Sequence, residues 1–233
     1  MRDPAKGMTK NEYAYEAIKS MIMGGELRAD ELVSESALAD KLGVSRTPIR
    51  EALRMLSRDG FIEVGGQGAH VKRITVKEAY DLSEIRVEIE AIALKTAVYK
   101  VPQSSIQALM ARWEALLATV REGGQPRART LKQIVALDTA THMLIIRHCD
   151  NSVIPRLYEN VLLKVQGFQR MVSSLANNDE RTIQYHLELL RRVMEQDSEG
   201  ASDIIRRHVY DSLNSIAQRR LDAGLGGKDL PAW

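Results

Sequence analysis

The segment from Ser34 to Gly60, SESALADKLGVSRTPIREALRMLSRDG, constrains the fold more than any other part of the chain. It reads as two short helices joined by a tight turn. Ser34 is placed to cap the first helix, its hydroxyl accepting from a backbone N–H of the opening turn. Leu38, Ala39 and Leu42 fall on one helical face, and Gly43 supplies the left-handed residue that ends it. Val44 leads to a second start signal, Ser45 or Thr47, with Pro48 in the opening turn where its missing N–H costs little. In the second helix Ile49, Ala52, Leu53 and Leu56 form the apolar stripe. Arg46, Arg50, Arg54 and Arg58 recur every four residues as a drifting ridge on another face. Between Lys41 and Arg58 stand five basic residues and one acid, Glu51.

A basic ridge on the second helix of such a pair suits DNA reading. A helix fits the major groove, arginine matches the two acceptors of a guanine edge, and the remaining cations meet phosphates. The alternative is a solvated arginine face on an ordinary helical hairpin. The next residues weigh against it. Phe61–Val64 and Ala69–Arg73 are short β-prone runs around Gly65-Gly66-Gln67-Gly68, which reads as a hairpin with a loop longer than the tightest turns. A hairpin directly after a recognition helix is a wing. The expected unit is a winged helix-turn-helix that binds double-stranded DNA.

The run LADKLGVSRTPIREALRMLSRDGFI, Leu38 to Ile62, closely resembles the DNA-binding domain of GntR-family bacterial transcriptional regulators. It carries their LA, two variable residues, LGVSR, a further residue, P, an aliphatic residue, REAL, and L before the glycine. The resemblance implies DNA contacts from Arg46, Thr47, Arg50 and Arg54, with Gln67 and Gly68 in the wing. Family members often have a Pro-Gly pair ahead of this motif. Here Ala29-Asp30 stands in that place, and a looser turn is expected.

At 233 residues the chain can hold one large or two small domains, each with a core of its own. A net charge of +2 spreads no cationic field over the whole molecule, so the argument for nucleic acid rests on the local patch. The lone cysteine, Cys149, excludes an intramolecular disulfide framework and fits a reducing compartment. No apolar run has membrane-spanning length, and Met1 to Gly7 lacks the core of a signal peptide. A cytoplasmic protein without a membrane partner is expected.

The domain boundaries expected are 1–74 for the winged unit, 75–223 for an all-α domain and 224–233 for a flexible tail. Residues 1 to about 8 read as a disordered arm. A helix over Thr9–Met23 is expected to bury Tyr15, Ile18 and Ile22. Thr75 with Glu78 forms a capping box at the junction. Helices follow over roughly 76–100, 103–121, 128–148, 152–175, 179–197 and 201–221. The fold class expected is mainly α, a winged helix-turn-helix followed by an all-α six-helix bundle.

That helical half holds His142, His148, His186 and His208. Asp138 and His142 stand four apart and point the same way from one helix. With His186 and His208 from later helices they form a candidate site for a divalent transition ion, Zn²⁺, Ni²⁺ or Mn²⁺. A solvated Asp–His pair on a surface helix explains the spacing equally well. His148, at a helix end, reads as a solvated or capping residue. The bundle is similar to the FCD domain, the effector-binding half of the FadR subfamily of GntR regulators. Asp138, His142, Asn151, His186 and His208 occupy that domain's pattern in order. The resemblance implies that Asp138 and the three histidines ligate a metal, and that Asn151 and Arg86 face the effector. Thr141 departs from the usual Phe and alters the pocket wall without removing a ligand.

An ion with four protein ligands leaves positions suited to a carboxylate, and the planar fork of Arg86 suits its second oxygen pair. The competing reading of Arg86 is a surface pair with Glu90. Reading two DNA half-sites calls for a homodimer. The expected function is a transcriptional regulator, a repressor by resemblance and not an enzyme, controlled by a small carboxylate. A metal sensor whose signal is the ion stands as one alternative, and a metalloenzyme as a weaker one.

Overall fold

The computed structural model describes residues 8–66, 68–123, 127–172 and 179–222. The expected arm, Gln67 and the tail fall outside the described residues. The chain divides into two compact units between Ile74 and Thr75. In the first, α1 (Lys10–Met23) opens with a reciprocal capping box between Thr9 and Glu12 and packs on α3. Its buried residues are Ala14, Ile18 and Met21, an i, i+4, i+7 stripe. The expected Tyr15 and Ile22 are only half-buried. Tyr15 sits at the edge because its hydroxyl reaches the Asp59 carboxylate at 2.5 Å, an amphipathic ring at the boundary of the core.

Helix α2 (Glu35–Leu42) is capped by Ser34, which accepts from the Ala37 N–H, and ends at Gly43 with φ of 67°. Helix α3 (Arg46–Arg58) buries Pro48, Ile49, Ala52, Leu53 and Leu56. Strands β1 (Ile62–Gly65) and β2 (Gly68–Val71) pair antiparallel. Gly65 pairs with Gly68, so the link is only two positions long, tighter than the sequence suggests. Both glycines join the ladder, and Gly68 does so at a φ of 114°.

A third segment completes the wing. Asp30 N–H donates to Val71 O, Val71 N–H to Glu31 O, and Val33 N–H to Ala69 O. The turn before it is not loose. Asp30 takes the left-handed conformation at φ 66°, which aspartate tolerates better than most residues, and its carboxylate accepts from Arg73.

The second unit holds α4 (Val76–Ala97), α5 (Gln103–Glu122), α6 (Arg127–Arg147), α7 (Ile154–Val172), α8 (Asp179–Met194) and α9 (Ser198–Asp222), the six-helix bundle expected. Thr75 and Glu78 form its opening capping box. Helix α4 packs against α9, α7 and α6, while α8 packs against α5, α9 and α6. Trp113 and Tyr158 are among the largest side chains wholly buried in this core. A polar set is buried with them: Arg86, Glu90, Asp138, Thr141, His142, His186 and His208. Among the described residues, no helix is long and apolar enough to cross a membrane.

Candidate metal centre and DNA-reading face

Helix α6 carries Asp138 and His142 on one inward face, α8 brings His186, and α9 brings His208. All four are buried, and one candidate ligand atom from each lies within 4.8 Å of the others. Asp138 Oδ1 is 3.1 Å from His186 Nε2 and 3.6 Å from Nε2 of both His142 and His208. Ligands about 2.1 Å from a transition ion stand at most about 4.2 Å apart, so a small contraction would bring these four atoms within the span that one ion needs.

Hydrogen bonding orients two of the rings. His186 Nδ1 lies 2.8 Å from the Thr182 carbonyl, which only accepts, so the proton of a neutral ring sits on Nδ1. His142 Nδ1 lies 2.5 Å from the Glu90 carboxylate, with the same consequence. Both Nε2 lone pairs therefore face the Asp138 carboxylate, acceptor against acceptor. Such an arrangement is stable only with a cation or protons between the groups. His142 Nε2, His208 Nδ1, Asp138 Oδ2 and Arg86 Nη2 are buried without a hydrogen-bond partner. An unpartnered buried polar atom costs about 1–3 kcal/mol, so their convergence is what a site for a charged ligand requires.

Glu90 ties the site to α4 and α7. Its Oε1 accepts from Arg86 Nε at 2.7 Å and from the Tyr158 hydroxyl at 2.6 Å, while Oε2 meets His142. Burial opposes the Glu90 charge, but His142 and Arg86 outweigh it and bring its pKa to about 2. Burial likewise opposes a charge on His142, and Glu90 with Asp138 holds its pKa above the usual 6.5. Burial, aided by His186, pushes His208 down to about 4. Arg86 is 1% exposed, so its pairing with Glu90 is not the surface contact weighed from sequence. Its Nη2 stands 4.0 Å from Asp138 Oδ2. Trp113 stacks on His186 with ring centroids 4.4 Å apart and donates to Thr141 Oγ1. Thr141 thereby holds the wall that clamps His186.

Asn151 is exposed, and its side-chain oxygen accepts from the Val153 N–H ahead of α7. The structure does not bring it to the cluster. His148 Nδ1 bonds to the Leu144 carbonyl at the end of α6 and also stays outside.

On the first unit, Arg46, Thr47, Arg50, Arg54 and Arg58 are all exposed along α3. Ser45 opens that helix without a side-chain capping bond, leaving its N-terminal N–H groups for an anion such as phosphate. Arg50 meets Glu35 at 2.7 Å and Arg54 meets Glu51 at 2.6 Å. Exposed pairs of this kind are worth about 0–1 kcal/mol and yield readily to a phosphate or base. Gly68 is exposed at the hairpin tip.

Residues 10–71 match the bacterial regulatory proteins of the gntR family, and residues 81–211 match the FCD domain. The chain belongs to the GntR family, with an FCD domain as its second unit. HTH-type transcriptional regulator YdhC of Bacillus subtilis (strain 168), itself uncharacterized, is 25% identical to this GntR-family chain over 201 residues, 86% of each. The gluconate operon transcriptional repressor of the same organism is 25% identical over 169 residues, 71% of this chain and 67% of that one. The solved structure of E. coli McbR/YncC gives a TM-score of 0.76 at 19% identity, covering 91% of this chain and 99% of that one. At that identity the likeness is one of fold.

The GntR-family chain is therefore a transcriptional regulator of a class that binds operator DNA. The metalloenzyme alternative falls with that assignment, since regulators of this kind are not enzymes. Three side chains of the cluster escaped the sequence reading in this role: Glu90, Tyr158 and Trp113. They lie on α4, α7 and α5 with no local spacing to link them, and only the packing of the bundle brings them together.

Proposed function

We propose that this regulator is a homodimeric repressor of the FadR subfamily, acting in the cytoplasm. Its operator affinity is set by a small carboxylate bound at a divalent transition ion, with Asp138, His142, His186 and His208 as ligands. The observation that carries this reading is His142 Nε2, buried without a partner and aimed with a second imidazole lone pair at a buried carboxylate. Three imidazoles and a carboxylate suit zinc, nickel or manganese. When bound, such an ion supplies positive charge and open positions for an incoming carboxylate oxygen.

Arg86 holds the other end of that ligand. Glu90 fixes its Nε, and the unpartnered Nη2 is left to donate. Asn151 serves as a cap in this reading and takes no part in ligand binding. On DNA, Arg46, Thr47 and Arg50 enter the major groove, Arg54 meets phosphate, and Gln67 and Gly68 sit at the wing. Two-fold-related half-sites require two copies. The relative named for repressing a gluconate operon supports repression, and gluconate is itself a carboxylate. The ligand controls DNA only through unequal affinity for the two states of the bundle.

The test selects a bound duplex from a genomic library, then measures affinity for it with metal-loaded and metal-stripped protein against a panel of mono- and dicarboxylates. One acid should weaken binding several-fold in the metal-loaded protein alone. Affinity unchanged by every acid contradicts the reading. Release by the metal with no acid present makes the ion the signal instead.

A further inference from the structure

The buried cluster is walled unevenly. On the α5 side Trp113 stacks on His186 and is wholly buried, its indole N–H tied to Thr141. On the α4 and α7 sides Arg86, Glu90 and Tyr158 are buried as deeply. On the side of α8 and α9 the wall includes a half-buried ring, Tyr185, whose centroid lies 5.6 Å from that of His208 at a tilt of 56°. Tyr185 precedes His186 on α8, so it stands beside one candidate ligand and against another. Its other side lines an open groove of about 470 Å³, shared with Arg181, Glu188, Arg192 and Arg207. Arg192 pairs with Glu188 and Asp197. Arg207, one residue before His208, meets the Asp203 carbonyl but no carboxylate among the described residues. Three arginines thus line the groove against one acid. A mouth with surplus positive charge gathers small anions and speeds their arrival.

Tyr185 is held over His208 by a latch of side chains that reach solvent. Its hydroxyl donates to the Asp211 carboxylate on α9. Arg181, one turn earlier on α8, donates to the same carboxylate oxygen and, at 3.1 Å, to the hydroxyl itself. The Arg181 guanidinium also lies 5.5 Å from the centroid of the Tyr185 ring. Ion pairs at the surface hold weakly, and exposed side chains change rotamer within nanoseconds. Rotation about χ1 carries the Tyr185 ring off His208 and towards the groove. The other walls lack this freedom, because Trp113, Arg86, Glu90 and Tyr158 are fixed by buried hydrogen bonds.

We propose that Tyr185 is the gate of the buried cluster, with Asp211 and Arg181 as its latch, and that a small carboxylate reaches the centre from the arginine-lined groove between α8 and α9. This rests on the metal-site reading above and adds the route by which that site is filled and emptied.

The test uses the full chain carrying Trp233→Phe, which leaves Trp113 as the single indole, stacked on His186 where a bound nickel ion quenches it. Stopped-flow fluorescence follows nickel loading, and nickel removal by pyridine-2,6-dicarboxylate, a small dianion that has to meet the ion inside the bundle. A gate sets a barrier that both directions cross, so opening it changes the rates and spares the equilibrium. Tyr185→Ala should speed loading and removal about tenfold each and leave the nickel dissociation constant within about threefold. Tyr185→Phe and Asp211→Asn, which release the latch and keep a side chain in place, should move both rates in the same direction by less, and they decide the matter if Tyr185→Ala does not fold. Arg207→Glu should slow removal by the dianion several-fold and flatten its dependence on ionic strength. Rates equal to the parent's in all three latch variants overturn the gate. So does a loss of nickel affinity as large as the gain in release rate, which makes Tyr185 a support for His208 instead. A parent chain that binds no nickel, zinc or manganese overturns the metal-site reading itself.

Discussion

Glu90 is the side chain on which the buried polar groups converge, for it holds Arg86, Tyr158 and His142 at once. A carboxylate that fixes the proton on the far nitrogen of a metal-ligating imidazole typically contributes 10–100-fold to metal affinity. Glu90→Gln should therefore weaken metal binding by about that factor in competition with a chelator. Tyr158→Phe, which leaves the His142 contact in place, should change it far less. Equal affinity of Glu90→Gln and the parent protein would contradict the role given to Glu90.

The histidine shifts make a second prediction, for the metal-stripped protein. His208 has a folded pKa lowered from 6.5 to about 4, so its contribution to stability is present above 6.5 and is lost as the pH falls towards 4. His142 has a folded pKa raised above 6.5, so its contribution is present below 6.5 and is lost as the pH rises through the folded value. Stability governed by these two groups peaks near pH 6.5. Metal takes the place of the proton at His142, and the loss on the alkaline side should vanish in the loaded protein. Unfolding midpoints measured against pH in both states check this. At this scale the buried cluster of Asp138, His142, His186 and His208 was legible, because Asp138 and His142 sit one turn apart and the family pattern supplied the other two. The supporting residues were not, since contacts across 28 to 68 positions leave no local mark.

Among the elements, the helix-turn-helix was the most legible because its signals are local. Gly43 ends α2 at φ 67°, and an L-residue held there costs about 1–2 kcal/mol. Gly43→Ala should lower stability by that amount, read from denaturant midpoints, without altering the arginine ridge. Arg50→Ala on α3 should weaken operator binding by about 1–3 kcal/mol and relax specificity at the base it reads, whereas Arg54→Ala should make the salt dependence shallower by about one unit of slope. Undiminished affinity contradicts the placement of α3 in the groove. The face of α1 was misread by one position at each end, because Tyr15 and Ile22 fit a helical stripe as well as Ala14 and Met21 do. The reach of Tyr15 to Asp59 holds that ring at the edge of the core. The third segment of the wing, Asp30–Val33, was invisible for a related reason: its pairing with β2 depends on aspartate in a left-handed turn where glycine was the expected signal.

For the whole molecule, the chain joins a DNA-reading unit to an FCD bundle with a buried polar cluster in its core. A core that leaves four polar atoms without partners sacrifices stability that a bound ligand would restore. Ligand binding and folding are then linked by mass action: a ligand of the folded state at a hundred times its dissociation constant contributes about 2.7 kcal/mol. The central claim is that metal and carboxylate occupy this one site together. The most direct measurement is thermal unfolding of metal-loaded and metal-stripped protein against small mono- and dicarboxylates. The account predicts that metal raises the midpoint and that one acid raises it further in the loaded protein only, an increment that Arg86→Lys reduces. An acid that stabilises the stripped protein equally, or a metal that leaves the midpoint unmoved, contradicts it.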